Sequence, residues 1–345
     1  MSIDALEARL AELEEGISRL DGVINDLVNF LAEHGMTRKP KDSKDVVAER
    51  KTNDGTFYLA PANSFWYADI SKCPVHKYSE NWVRNIGAGT EIHADFGAEW
   101  TDDNGKKTKI GIPITLIDHK TAHYHKMTAL YAAESDLSDG IPIGTIEDGS
   151  DRHSICVDIN ARRGYEIFNC DHEKGCCDSA AVWDFTSNAM RPMGFTSADA
   201  AGLPIVLGQI RYDEIEAGEI NHMIRFTIPT SKGNSWPASH MTLGKLNEIY
   251  ETNAGLGAVF RLKADVDISG FSKTNQIILR AMKKHGMIVA DNGGAWYFGG
   301  TPDERWDNDD LAQLSWLRGN VFEAVDISGL MVSPTSYECL MPVNK

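Results

Sequence analysis

The sequence predicts a mainly β protein: an N-terminal α-helical coiled coil, then a β-sandwich or jelly-roll-like globular domain with one or two short helices. Three observations lead there. Ile and Leu alternate at spacings of three and four, without a break, from Ile3 to Leu31. Short apolar runs separated by Gly, Pro, Asn and Asp fill most of the chain beyond residue 55. The 30 Gly and 12 Pro among 345 residues supply more turn chemistry than a helical bundle uses.

The first element rests on Ile3, Leu6, Leu10, Leu13, Ile17, Leu20, Ile24, Leu27 and Leu31, a complete a/d heptad seam. At a rise of about 1.5 Å per residue the rod is roughly 45 Å long. Val23, Val28 and Phe30 widen the apolar stripe at flanking positions, which favours a trimer, with a dimer second. Residues 1–36 hold eight acids and two bases, so the seam works against like-charge repulsion. The intact chain is therefore expected to scatter light as a homo-oligomer through residues 3–31. Leu13→Asp with Leu20→Asp places charges in the seam at several kcal/mol per helix and is expected to give monomers. A wild-type chain that is monomeric at micromolar concentration contradicts this.

Gly35 supplies a C′ residue that ends the helix, so the coiled coil is assigned to residues 1–35. Residues 36–55 are polar, mixed in charge and carry Pro40, as a linker does. Residues 56–345 read as one β-rich domain. Its strand-like runs include Ile110–Ile117, Ser154–Ile159, Glu166–Phe168, Ile220–Ile228, Ala258–Ala264, Met287–Ala290 and Trp296–Phe298. Thr274–His285 is helical in period and closes at Gly286; Asn308–Arg318 is a second short helix. No repeat of 20–50 residues is visible, which argues against a solenoid or propeller.

Composition narrows the function. A formal net charge of -16 repels polyanions, so nucleic acid is excluded as the expected partner. No apolar run reaches the length of a membrane span, and the N-terminus lacks the basic and apolar regions of a secretory signal. Nucleophile elbow, P-loop and dinucleotide fingerprints are absent.

Several blocks carry a resemblance: DRHSICVD (151–158), WDFTSNAMRPMGFTSADAAGLPI (183–205), IRYDEIEAGEINHMIRFT (210–227), WPASH (236–240), VFRLKADVDISGF (259–271), ILRAMKKHGMIVADNGGAWYFGG (278–300) and RWDNDD (305–310). In these the domain resembles a family of mostly secreted microbial proteins with no assigned activity. The resemblance implies a β-rich domain that often accompanies extracellular or carbohydrate-related modules. This chain departs from it by its coiled coil and by the Cys-rich stretch Cys170–Cys177.

Within those blocks Asp151, His153, Asp199, His222 and His240 are the candidate catalytic residues. Imidazole beside carboxylate suits general acid/base work near neutral pH, and the same groups can ligate a metal or pin loops as buried polar groups. Trp183, Trp236, Trp296 and Tyr297 offer rings for stacking on sugars or for filling a core. Arg211 and Asp291 are the candidate polar ligand contacts. His119, His123 and His125 in HKTAHYH have a spacing that can bind a metal, but without HExxH or a comparable signature they read as a surface loop or edge strand. Cys170 is expected to bridge Cys176 or Cys177, since no CxxC pair suggests zinc. No cofactor is indicated. A rod bearing a β-rich head, without an export signal, suggests a bacteriophage virion protein, a fibre or collar whose head binds cell-surface glycan. The competing expectations are a polysaccharide hydrolase or lyase and a purely structural virion component contacting other virion proteins.

Overall fold

A computed structural model describes residues 59–101 and 104–340. The coiled coil and the linker, residues 1–55, lie outside the described residues. The described body is mostly strand with a few short helices. Ten strands of three or more residues make two sheets. The strands are β1 (His93–Asp95), β2 (Ile114–Leu116), β3 (Ser154–Asp158), β4 (Arg163–Phe168) and β5 (Ser179–Asp184). They continue as β6 (Ile224–Ile228), β7 (Val259–Leu262), β8 (Met287–Asn292), β9 (Tyr297–Gly299) and β10 (Phe322–Val325). The larger sheet runs β1-β9-β6-β8-β7-β10 and the smaller β5-β4-β3-β2.

Neither sheet is the antiparallel sheet of a jelly roll. β1 lies parallel to β9, β6 to β8 and β2 to β3. Parallel neighbours need a long connection, and between β6 and β8 the chain runs through β7 and the helix Lys273–Lys284. The sequence conceals this because Met287–Ala290 is buried on both faces and shows no alternation from which to read orientation.

Helices follow their end signals. α1 (Ser79–Gly87) packs on β10; α2 (Ile205–Gly208) and α3 (Tyr212–Ala217) precede β6. α4 (Lys273–Lys284) starts at Ser272, whose Oγ accepts the Asn275 N–H at 3.1 Å, and packs on β7. It ends before Gly286, whose φ of 75° and close approach to the Phe260 carbonyl leave no room for a Cβ. α5 (Asn308–Ala312) is capped by Asp307 and tightens into a 3₁₀ turn over Gln313–Trp316.

The larger core is built on aromatic rings. Trp296 is fully buried and stacks near-parallel with Phe226 at 5.6 Å and Phe322 at 5.3 Å. Each such ring contributes about 1.5–3 kcal/mol by leaving water. A smaller core gathers Met127, Ile141, Cys156, Tyr165, Ile167, Cys170, Cys177 and Ala180.

Cys170, Cys176 and Cys177 are free thiols, so the expected bridge from Cys170 is not formed. The antiparallel bridge Asp171–Cys176 sets Cys170 and Cys177 into this smaller core, where they act as small apolar side chains. Burial, reinforced by neighbouring Cys170, pushes the Cys177 thiol up to about 12, far from the reactive thiolate.

Candidate functional site

The site begins with strand register. His93 pairs with Tyr297, Tyr297 with Thr227, and Thr227 with Asp291, so these four stand in one row across β1, β9, β6 and β8. Paired residues share a face, and so do residues two apart on one strand. Asp95 and Arg225 therefore join the same face. Asp291 reaches it through a register shift in the β6–β8 pairing, which steps from Phe226–Val289 to Thr227–Asp291 and skips Ala290. Gly299 lies in the row of Asp95; a Cβ there would meet the Arg225 side chain.

The segment Ala198–Asp199–Ala200 lies against this face and is gripped from four sides. Arg225 Nε and Nη2 donate to the two Asp199 carboxylate oxygens at 3.0 and 2.9 Å. His153 Nε2 lies 3.3 Å from the Ala198 carbonyl, and His240 Nδ1 lies 2.8 Å from that of Ala200. Asp291 Oδ2 accepts the Ala200 N–H at 3.3 Å. His153 is held in turn by Glu147, whose Oε2 lies 2.6 Å from Nδ1 and 3.1 Å from the backbone nitrogen. Asp151 and Glu147 add negative charge near Asp95.

Asp199, His153 and Arg225 are buried; Glu147, His240 and Asp291 are half-buried; His93, Asp95, Asp151 and Tyr297 are exposed. Asp199, Asp291, Glu147 and Asp95 thus surround one guanidinium, with Asp151 beside Asp95, on a shelf that grades from core to solvent. Burial, with the nearby Asp199 carboxylate adding to it, pushes Asp291 up to about 6 despite Arg225. Asp95, exposed at the edge of the shelf, is also raised by desolvation from the groups packed beside it, partly offset by His93 and Arg225. Burial opposes charge on His153, but Glu147 outweighs it and raises the imidazole above its usual range. Gln209, fully buried and beside Gly299, has both amide atoms without a hydrogen-bond partner among the described residues. Such a group costs about 1–3 kcal/mol.

Four of the five catalytic candidates therefore meet: Asp151, His153, Asp199 and His240. His222 does not join them. β6 starts at Ile224, four residues later than the apolar run from Ile220 suggests, so His222 falls in the approach to the strand. Its Nε2 lies 3.0 Å from Glu214 Oε1 and its Nδ1 2.8 Å from the Met223 carbonyl. Burial opposes ionisation of Glu214, yet Arg211 and His222 outweigh it and lower its pKa. Arg211, His222 and Glu214 line a different cavity of about 570 Å³, with Leu59, Tyr67 and Leu207.

Of the ligand candidates, Tyr297 and Asp291 stand on the shelf. The three tryptophans do not. Trp296 and Trp183 are core residues, and the Trp183 indole donates to buried Glu166 at 2.9 Å. Half-buried Trp236 donates to the Ser336 carbonyl at 2.9 Å and lines a separate apolar cavity of about 310 Å³. Sequence reasoning missed His93, Asp95, Glu147 and Arg225. Arg225 left a signal, a lone cation inside the apolar run INHMIRFTI; Glu147 left none.

Elsewhere, Asp118, His119 and Asp158 bring ligand atoms within 4.8 Å of one another. Asp158 accepts from Ala161 N at 2.8 Å and from His119 N at 2.9 Å, and its Oδ2 lies 2.6 Å from His119 Nδ1. These hold its carboxyl far below the usual range and pin the loop. Comparison with known proteins finds no matching family model, curated protein or solved structure.

Proposed function

We propose that the body is the glycan-binding head of an oligomeric, virion-associated attachment protein, a fibre or collar, and that the Arg225-centred shelf holds the sugar. The observation that carries this reading is the exposed Tyr297–His93 ring pair, 4.2 Å apart, in one row with Thr227 and Asp291. An aromatic face stacks on a sugar ring while carboxylates accept its hydroxyls. Five carboxylates against one guanidinium favour a neutral or amino sugar over an acidic one. Several heads on one rod turn weak single contacts into firm attachment.

Asp291 favours a second reading. A carboxyl near 6, half-buried beside a second carboxylate, is suited to protonate a leaving glycosidic oxygen. The head is then a hydrolase or lyase. Incubating the full chain with a panel of bacterial surface polysaccharides separates the readings. Retention without chain shortening supports the attachment head. New reducing ends, lost in Asp291→Asn, support the enzyme. Neither outcome across the panel leaves a structural virion component and overturns both.

A further inference from the structure

We propose that His123, His125 and His172 form a surface site for a divalent transition ion of the zinc, nickel and copper group. The site uses none of the shelf residues.

The placement follows from two short elements. Tyr124 turns inward, its hydroxyl 2.8 Å from that of Tyr165, so His123 and His125 on either side share the opposite face. The turn Asp171–Cys176, closed by two backbone hydrogen bonds, carries His172. Cys176–Cys177 pairs with Thr128–Ala129, three residues beyond His125, and this pairing brings the turn alongside the histidines.

The ring centroid of His125 lies 4.5 Å from that of His123 and 5.8 Å from that of His172. With a metal–nitrogen bond of about 2.1 Å, ring centroids sit about 3.2 Å from the ion, so two rings on a tetrahedral ion are about 5.2 Å apart. The two observed separations bracket that distance. His123 and His172 are exposed and free to turn about their side-chain bonds, while half-buried His125 is the fixed point. Among the described residues no hydrogen bond or ion pair engages any of the three rings, so no partner competes for their nitrogens. Burial, then the neighbouring His123 and His172, lower the pKa of His125 and favour the neutral form that ligates. An all-imidazole set suits zinc, nickel or copper rather than calcium or magnesium, and leaves a coordination position for water.

The sequence alone offers a different trio, His119, His123 and His125. The structure commits His119 to Asp158 and supplies His172 in its place.

The test is calorimetric titration of the metal-stripped, reduced full chain with zinc chloride, alongside thermal melts. Wild type is expected to bind one ion per chain and to melt higher with zinc. His125→Ala and His172→Ala are each expected to weaken binding by about tenfold or more, and His119→Ala to leave it unchanged. Absence of zinc and nickel uptake by the wild type overturns the proposal. So does equal uptake by the triple variant His123→Ala/His125→Ala/His172→Ala. Loss in His119→Ala with retention in His172→Ala also overturns it, placing the ion on Asp118, His119 and Asp158.

Discussion

Arg225→Met is expected to destabilise the body by about 3–5 kcal/mol, because it leaves the Asp199 carboxylate buried without its cation. Asp199 is 1% exposed, and both of its oxygens accept from the guanidinium. A loss of that size is a large share of the about 5–15 kcal/mol by which a domain is stable. Asp199→Asn alone is expected to cost less, since an amide is cheaper to bury than a charge. Combined with Arg225→Met it is expected to recover part of the loss, giving a coupling energy of a few kcal/mol in a double-mutant cycle. Urea midpoints of the four proteins measure this. An Arg225→Met protein within about 1 kcal/mol of wild type shows that the pair is not what holds segment 198–200 against the sheet.

Asp291→Asn is expected to stabilise the fold at neutral pH while removing function. Asp291 ionises near 6 in the folded chain, against about 3.8 when unfolded. Between those values the folded state binds more protons, so the contribution of this group to stability falls as pH rises through the window. Above pH 6 the ionised carboxylate costs up to about 3 kcal/mol, and asparagine does not carry that charge. The amide oxygen can still accept the Asn292 N–H, now 2.6 Å from Oδ1, and only the long 3.3 Å contact to Ala200 is given up. The variant is therefore expected to melt several degrees above wild type at pH 7.5 and to lose that advantage near pH 4. An advantage that grows on acidification reverses the assigned sign. Selection for a destabilising carboxylate makes sense if the site needs it.

Much of the fold was legible in the sequence where local chemistry decides the outcome. Ser272 and Gly286 bracket α4 within a residue of its expected ends, and Asp307 starts the short helix α5. Four of the seven strand-like runs contain their strands and overshoot them, whereas Glu166–Phe168, Met287–Ala290 and Trp296–Phe298 stop short of theirs. Gly111, at a φ of 109°, and Pro113 delay β2 until Ile114. Where long-range pairing decides, the pattern was silent. Uniform burial of Met287–Ala290 hides its parallel partner, and the skipped Ala290 that turns Asp291 toward Arg225 appears only in the register. Asp151, His153, Asp199 and His240 converge because each addresses the same three residues, 198–200, or the charges around them. His222 was misplaced by starting the strand at Ile220, four residues before it begins. Trp183 and Trp296 fill the core, as large rings commonly do.

The affinity of the full chain for bacterial surface polysaccharide, compared between wild type and Tyr297→Ala, tests the glycan shelf most directly. Tyr297 is 38% exposed and its hydroxyl makes no hydrogen bond among the described residues, so its removal spares the fold. Wild-type binding that falls by about tenfold or more in the variant, with an unchanged melting curve, is the result expected of a stacking platform. Equal binding by the two folded proteins places the glycan elsewhere and contradicts it.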